Sequence, residues 1–516
     1  MSNKSEYITT AIVYPNARIH LGFGWECIGA DWLARAHRVM GRETRLVTGM
    51  DVHSINVQKA AQAQGLAPAD YCEKMGADIE GVLRSLGVKY DRFISTEDDD
   101  HKKVVQALVQ KAFDAGDVYK AKYEGHYCEG CEEFKLEKDL VGGLCPAHKT
   151  APKWISEENY FFKLSKYQDR LLELFRKNPD FLQPEIRRNE VVNFIQAGLR
   201  DFSISRSTFD WGIPLPFDPK HIVYVWFDAL INYVTAAGYL KGEAEFKRYW
   251  PASTHVIGKD ISRFHTIYWP AMLWSLGIEL PKKVFAHGFL NLRNERMSKS
   301  TGNMVTPDDV LKVTGADQLR YYLLAENNFA SDGNFAWDLM SAKVNADLAN
   351  DWGNLVNRTI NMTKKYFPGE ALALPSQQGH SAEVIESFSK LKSELESAIE
   401  RVDTQGYAQA CTARSRVLNL YIDRTKPWAL AKANTPESMT ELREVLYTLM
   451  EGIRWVATAL MPVLPYGMPE VFRQLNVAAP EELGAVKGLE WGSGTYLPGE
   501  PKPIYPRIEI PAELLA

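Results

Sequence analysis

The sequence predicts an α/β domain, interrupted by an insertion and followed by a helical bundle. A strand, loop, helix rhythm opens the chain, with β-branched EYITTAIV at 6–13 running into Pro15 and Asn16 and a helical pattern from Leu21 to Met40. Gly, Cys, Pro and aromatic clusters then break that rhythm over 115–220. From about 340 onward, apolar residues recur at steps of three and four.

The second strand is TRLVTG at 44–49, followed by helical AAQAQ and EKMGADIEGVLRSL, so a parallel sheet is expected. The rhythm resumes with HIVYVWFDALINYV at 221–234, STHVIGKDI at 253–261 and the strand pattern KKVFAHGFLNL, so two halves of one sheet should flank the insertion. In the bundle, Val384, Phe388, Leu391, Leu395, Ile399 and Val402 form one apolar stripe. Leu442, Val445, Leu449, Val456 and Leu460 form another. The Pro/Gly-rich stretch at 492–506 is a tail that must be held by other elements.

Several classes are excluded by composition. A chain of 516 residues exceeds one core and implies three or four domains at ordinary size. No apolar run approaches the roughly 20 residues that span a bilayer, and MSNKSEYITT lacks the order of a secretory signal, so a cytoplasmic, membrane-free setting is expected. The net charge of −5 gives no support for general nucleic-acid binding, which would need local patches. Three of the six cysteines crowd into 128–145, which reads as metal binding rather than a disulfide framework.

Two distant segments carry the chemistry. PNARIHLGFG at 15–24 puts His20, Leu21 and Gly22 where a strand passes into a helix, and helix N-termini in such sheets offer N–H groups and positive dipole to phosphate. Gly22 would let a nucleotide approach the backbone, and His20 can donate to a phosphate oxygen. RMSKS at 296–300 is a polar cationic loop suited to a polyphosphate whose charge grows as pyrophosphate leaves. The pairing of both segments, in this order, is far more specific than either alone. Cys128 and Cys131 form a C-x₂-C pair, and Cys145 with His148 a C-x₂-H pair. Together they can supply the four S/N ligands of a structural zinc site, with Gly130, Gly142 and Gly143 freeing the turns. Asp51 follows a predicted strand, where side chains face the cleft, while Trp226 and Tyr233 in Val225–Tyr233 read by themselves as core aromatics.

With these motifs in place, the chain resembles the methionyl-tRNA synthetase family of class I aminoacyl-tRNA synthetases from end to end. The resemblance implies a Rossmann-type catalytic domain in two halves, 1–114 and 221–290, split by a zinc-bearing connective insertion at 115–220. A stem-contact region at 291–345, a helical anticodon-binding domain at 346–490 and a C-terminal peptide at 491–516, returning to the catalytic side, would follow. It also implies roles. Ile12, Tyr14, Trp226, Ala229, Tyr233, Ile261 and His265 match positions lining the methionine pocket, and Asp51 the carboxylate on the substrate ammonium. His20, Gly22, Gly258, Asp260, His287 and Lys299 match nucleotide-side positions. Asn354 and Arg358, four apart on a predicted helix and expected to point to solvent together, match positions that read the methionine anticodon, as does Trp428.

The implied activity is ATP-dependent ligation of methionine to tRNA(Met), with Mg-ATP as substrate, zinc as structural metal, and a monomeric state because the family's appended dimerisation module is not in the sequence. His20 and Lys299 would stabilise charge on the phosphates while Asp51 fixes the amine. The alternative is a non-catalytic tRNA-binding relative. Four positions depart from the family pattern: Phe23 for histidine, Arg296 for lysine, Ser54 for glycine and Leu230 for proline.

Overall fold

The computed structural model describes residues 5–128, 133–135, 137, 140–146, 149–207, 210–297, 303–375 and 381–515. These fall into two compact units, each assembled from separate segments. The first comprises 1–18, 45–81 and 90–286, and the second 19–44, 82–89 and 287–516.

The first unit is built on a six-stranded sheet. Its strands are β1 (Glu6–Val13), β2 (Thr44–Met50), β3 (Arg92–Ser95), the short β6 (Leu182–Gln183), β7 (Thr254–Gly258) and β8 (Val284–His287). Two further strands, β4 (Val118–Cys128) and β5 (Lys153–Phe162), form a long antiparallel ladder in a separate sheet. The six strands lie in the order β3-β2-β1-β7-β8-β6, with β1 parallel to β7, β2 to β3 and β8 to β6. Segments from either side of the insertion therefore share one sheet, as the sequence predicts. Register is fixed by Ile8 opposite Thr254 and Thr9 opposite His255. Side chains reinforce it: Thr9 Oγ1 is 2.7 Å from His255 Nδ1, and the Tyr7 N–H donates to Ser253 Oγ at 3.1 Å. Buried Val47, Ile94, Val105, Phe227, Ile257 and Val284 belong to one continuous core. Such near-continuous apolar strands are what a sheet covered on both faces requires.

KKVFAHGFLNL, expected as one strand pattern, is two strands separated at Gly288. A Cβ on Gly288 would lie 2.0 Å from the Ser331 carbonyl oxygen, so the chain passes this point only as glycine. Leu290–Leu292 then joins a small sheet with Glu295–Arg296 and Gly333–Phe335 in the second unit.

That unit is helical over most of its length. Both apolar stripes are buried: Leu391, Leu395, Leu442 and Leu449 have no exposed surface. The first stripe is carried by two helices, Ala382–Ser389 and Leu391–Glu400. The tail is held by polar contacts, with the Tyr505 hydroxyl donating to Asp317 at 2.7 Å and the Ile508 N–H to Asn345 Oδ1 at 2.8 Å.

A buried ion cluster ties the helix Leu21–Val39 to its neighbours in the second unit. Asp31, fully buried, accepts from Arg320 at 2.6 Å, from Arg35 at 2.8 Å and from the Lys89 N–H at 2.8 Å. Burial alone would raise its pKa, but the two guanidiniums and the N–H outweigh that and hold it below the usual carboxylate range. Arg320, also fully buried, donates in addition to the Pro462 and Val463 carbonyls. Removing one member of such a cluster strands the other charge, so Arg320→Ala should cost about 3–5 kcal/mol. Denaturant unfolding should register this as a lower midpoint at unchanged slope, and a loss below about 1 kcal/mol would contradict it.

Candidate active site

In a parallel sheet, ligands bind beyond the carboxyl ends of the strands where the strand order reverses. Here that point lies between β1 and β7, since β2 and β3 extend the sheet to one side and β8 and β6 to the other. Ile12 and Tyr14 sit at the end of β1, and Gly258, Asp260 and Ile261 at and just after the end of β7. Asp51 directly follows β2 and is buried, and its N–H donates to the Val13 carbonyl at 2.9 Å. The strand ends thus bring one carboxylate and a set of apolar groups to one edge.

The far wall comes from the helical segments Val225–Leu230 and Asn232–Ala236 and from a π-helical turn at Phe264–Tyr268, a form frequent at functional sites. Half-buried Trp226 stacks on Phe264 with ring centroids 3.8 Å apart and planes 7° from parallel. Ala229 and Tyr233 are buried one turn apart. The Tyr233 hydroxyl lies 2.7 Å from His265 Nε2, and His265 Nδ1 is 3.0 Å from the Ile261 carbonyl. A carbonyl can only accept, so the ring proton is on Nδ1. Nε2 therefore accepts from Tyr233. Burial pushes the His265 pKa down to about 4, and the imidazole is neutral. His255, whose ring centroid is 4.2 Å from that of Tyr233, is driven down by burial too.

The remaining sequence candidates stand as follows. His20, exposed, caps the helix Leu21–Val39: its Nδ1 accepts from the Phe23 N–H at 3.3 Å, which puts the ring proton of the neutral form on Nε2. Gly22 has a reason the sequence did not reveal, because a Cβ there would lie 2.9 Å from that Nδ1 and displace the capping ring. Phe23 is buried, so its side chain belongs to the core. His287 is buried as well, with Nε2 2.8 Å from Glu26 and its ring stacked on Phe329 at 5.0 Å. Ser54 caps the helix Ile55–Ala63 by accepting from the Asn56 N–H, Leu230 is buried, and Arg296 lies over the Phe289 ring. Lys299 lies outside the described residues, with its neighbours 298 and 300–302.

Cys128 ends β4 and is buried, as is Cys145. Val141 and Leu144 bridge across Gly142 and Gly143, whose φ of 60° and 79° suit a two-residue hairpin turn. The Lys149 N–H then donates to the Cys145 carbonyl, closing a tight turn. Buried thiols on such turns fit zinc. Cys131 and His148 lie outside the described residues.

Asn354 and Arg358 do lie on one helix, Asn354–Tyr366, but they do not point to solvent together. Asn354 is exposed, whereas half-buried Arg358 donates to Asn419 Oδ1 at 2.5 Å. Trp428 is 49% exposed, as a base-stacking face would be.

Residues 6–153 and 136–360 match the family model described as tRNA synthetases class I (M). The methionine–tRNA ligase of Caldanaerobacter subterraneus subsp. tengcongensis is 42% identical over 517 residues, covering 99% of this chain and 80% of that protein. That of Clostridium acetobutylicum is 43% identical, covering 99% and 79%. The chain belongs to the methionyl-tRNA synthetase family. A solved member, Mycobacterium tuberculosis methionyl-tRNA synthetase in complex with methionyl-adenylate, matches with a TM-score of 0.94 at 38% identity, over 98% of this chain and all of that one. The apo form of the same synthetase matches at 0.86 and 36% identity, over 98% and 99%.

Sequence reasoning missed a network centred on buried Asp228. Asp228, between Trp226 and Ala229, accepts from His53 and His101, and His53 also reaches Glu97. His53 and Asp228 stand in GMDVHS and WFDAL, and Glu97 and His101 in STEDDDH at 95–101, but only the packing of distant segments brings them together.

Neutral His265 carries a stability consequence. Between its folded pKa of about 4 and the ordinary 6.5, the unfolded chain binds a proton that the folded chain does not, so stability falls as pH drops through that window. Lowering pH from 7 to 5 should cost the parent chain on the order of 2 kcal/mol more than His265→Gln, measured by denaturant unfolding at both pH values. Equal losses in both proteins would contradict the assignment.

Proposed function

We propose that this chain is a methionine–tRNA ligase whose methionine site is the pocket at the ends of β1, β2 and β7. The observation that carries the activity is the full-length match to methionine–tRNA ligases, together with a match across an entire synthetase chain solved with methionyl-adenylate. The enzyme activates methionine with ATP. A carboxylate oxygen of methionine attacks the α-phosphorus, the bond from that phosphorus to the bridging oxygen breaks, and pyrophosphate leaves. The terminal ribose hydroxyl of tRNA(Met) then attacks the adenylate carbonyl, forming the ester and releasing AMP.

No protein nucleophile is required, so the chain's contribution is positioning and electrostatics. In this reading Asp51 takes the substrate ammonium. Ile12, Tyr14, Trp226, Ala229 and Ile261 surround the thioether with the apolar and aromatic contacts such a group favours. Tyr233, donating to His265, adds its ring to the aromatic side of the site. The Nε2–H of His20 and the ammonium of Lys299 meet the phosphates, and Gly258, Asp260 and His287 serve the nucleoside side. Asn354, Arg358 and Trp428 read the anticodon, the first two by hydrogen bonds and the third by stacking. Arg358 would first have to leave Asn419. Cys128, Cys131, Cys145 and His148 hold a zinc ion that braces the insertion and takes no part in the reaction. No described helix is long and apolar enough to cross a membrane.

Methionine-dependent ATP–pyrophosphate exchange tests the activity, and its absence would overturn it. Asp51→Asn should raise the methionine KM about ten- to hundredfold, the value of a hydrogen bond to a charged group, and leave the ATP KM near its parent value. Lys299→Ala should slow exchange about a hundredfold if it acts as one preorganised donor to developing charge. A methionine KM unchanged in Asp51→Asn would remove Asp51 from the site.

A further inference from the structure

Behind the pocket lies a histidine whose two ring nitrogens both face carboxylates. His53 Nδ1 is 2.7 Å from Asp228 Oδ2, Nε2 is 2.8 Å from Glu97 Oε2, and the side chain is 2% exposed. Ionised carboxylates only accept, so both nitrogens donate only if both are protonated. Asp228 is fully buried, and its other oxygen accepts from His101 Nε2 at 2.7 Å. His101 in turn lies 3.2 Å from the Thr235 hydroxyl.

The placement of this group matters. His53 is two residues after Asp51, in the turn that follows β2. The turn is also held by Thr96 Oγ1, which accepts from the Val52 N–H at 2.9 Å, and by the Trp211 N–H, which reaches the Val52 carbonyl at 2.6 Å. Asp228 lies between Trp226 and Ala229 on Val225–Leu230. The His53–Asp228 contact therefore joins the turn carrying the ammonium-binding carboxylate to the helix carrying the aromatic wall.

We propose that His53 is a positioning residue for methionine activation, acting as an imidazolium that donates from both ring nitrogens and locks the Asp51 turn onto the Trp226 helix. The proposal rests on the assignment of Asp51 and Trp226 to the methionine site. His53 is to touch no substrate; its effect is on where Asp51 sits, and a small displacement of such a group is costly.

The charges around it agree. Burial by itself would lower the His53 pKa, but Asp228 and Glu97 outweigh burial and raise it to about 9. Lys102, at 2.8 Å from Glu97, balances that carboxylate, while Cys72, near Glu97, is held protonated by burial with its pKa at about 12. Trp211 presents its ring edge to the imidazole at 5.5 Å and brings no charge. With the folded pKa raised, the contribution is complete below the ordinary 6.5 and is lost as pH rises through about 9. The substrate ammonium deprotonates in the same range, so a KM-versus-pH profile would confuse the two.

The test reads the ring directly. In the full chain labelled with ¹⁵N-histidine, the resonances that disappear in His53→Gln should report two protonated nitrogens at pH 7.5. They should titrate near pH 9, and at lower pH in Asp228→Asn. In pyrophosphate exchange, His53→Gln should raise the methionine KM about tenfold, with kcat and ATP KM within about twofold of the parent, even though loss of the buried ion pair lowers the melting temperature. A bare ring nitrogen at pH 7.5 overturns the proposal, and should His53→Gln fail to fold, the resonances displaced by Glu97→Gln make the assignment. A methionine KM within twofold of the parent also overturns it, as does an equal rise of the methionine and ATP KM values, the mark of a purely structural role. If Asp51→Asn leaves the methionine KM unchanged while the ring is doubly protonated, the Asp51 assignment fails and the charge state of His53 stands.

Discussion

The pairing of β1 with β7 is the constraint on which the arrangement of the strand ends depends. Ile8 opposite Thr254 and Thr9 opposite His255 join segments 246 residues apart, and everything in the insertion must be accommodated between them. A slip of one residue in that register would turn every side chain of β1 to the opposite face. The Thr9–His255 contact and the Tyr7–Ser253 exchange oppose such a slip from within the core. Once the register is set, Ile12 and Tyr14 must end beside Gly258 and Ile261, and Asp51 beside Val13.

Beside this edge, burial and nearby carboxylates decide where protons sit. His265 and His255 are buried neutral, while His53 is buried between two carboxylates and kept charged. The same residue type serves two opposed purposes, decided by whether a carboxylate is within reach. The imidazolium lies on the other side of Asp51's turn, where it adds rigidity.

The alternation of strands and helices, the sheet shared across the insertion and the two apolar stripes were legible because each is a periodic burial pattern written locally. The strand-end position of Asp51 was legible for the same reason. Other features depend on tertiary approach and leave little local trace. Gly22 leaves room for the capping ring of His20, two residues away, a demand that no local pattern announces. Gly288 splits one apparent strand because the Ser331 carbonyl comes too close for a Cβ. Arg358 is drawn onto Asn419, 61 residues on, so helical spacing from Asn354 did not decide its exposure. The departures at Ser54 and Phe23 are accommodated locally, one as a helix cap and the other as a core side chain.

The central claim is that methionine binds at the β1–β7 switch point, between the Asp51 turn and the Trp226 helix. A crystal structure of this chain grown with methionine tests it most directly. The account predicts the ammonium within hydrogen-bonding distance of Asp51, the thioether between Trp226 and Tyr233, and His53 in contact with both Asp228 and Glu97. Methionine bound with its ammonium away from Asp51, or with the thioether outside the aromatic wall, would contradict it.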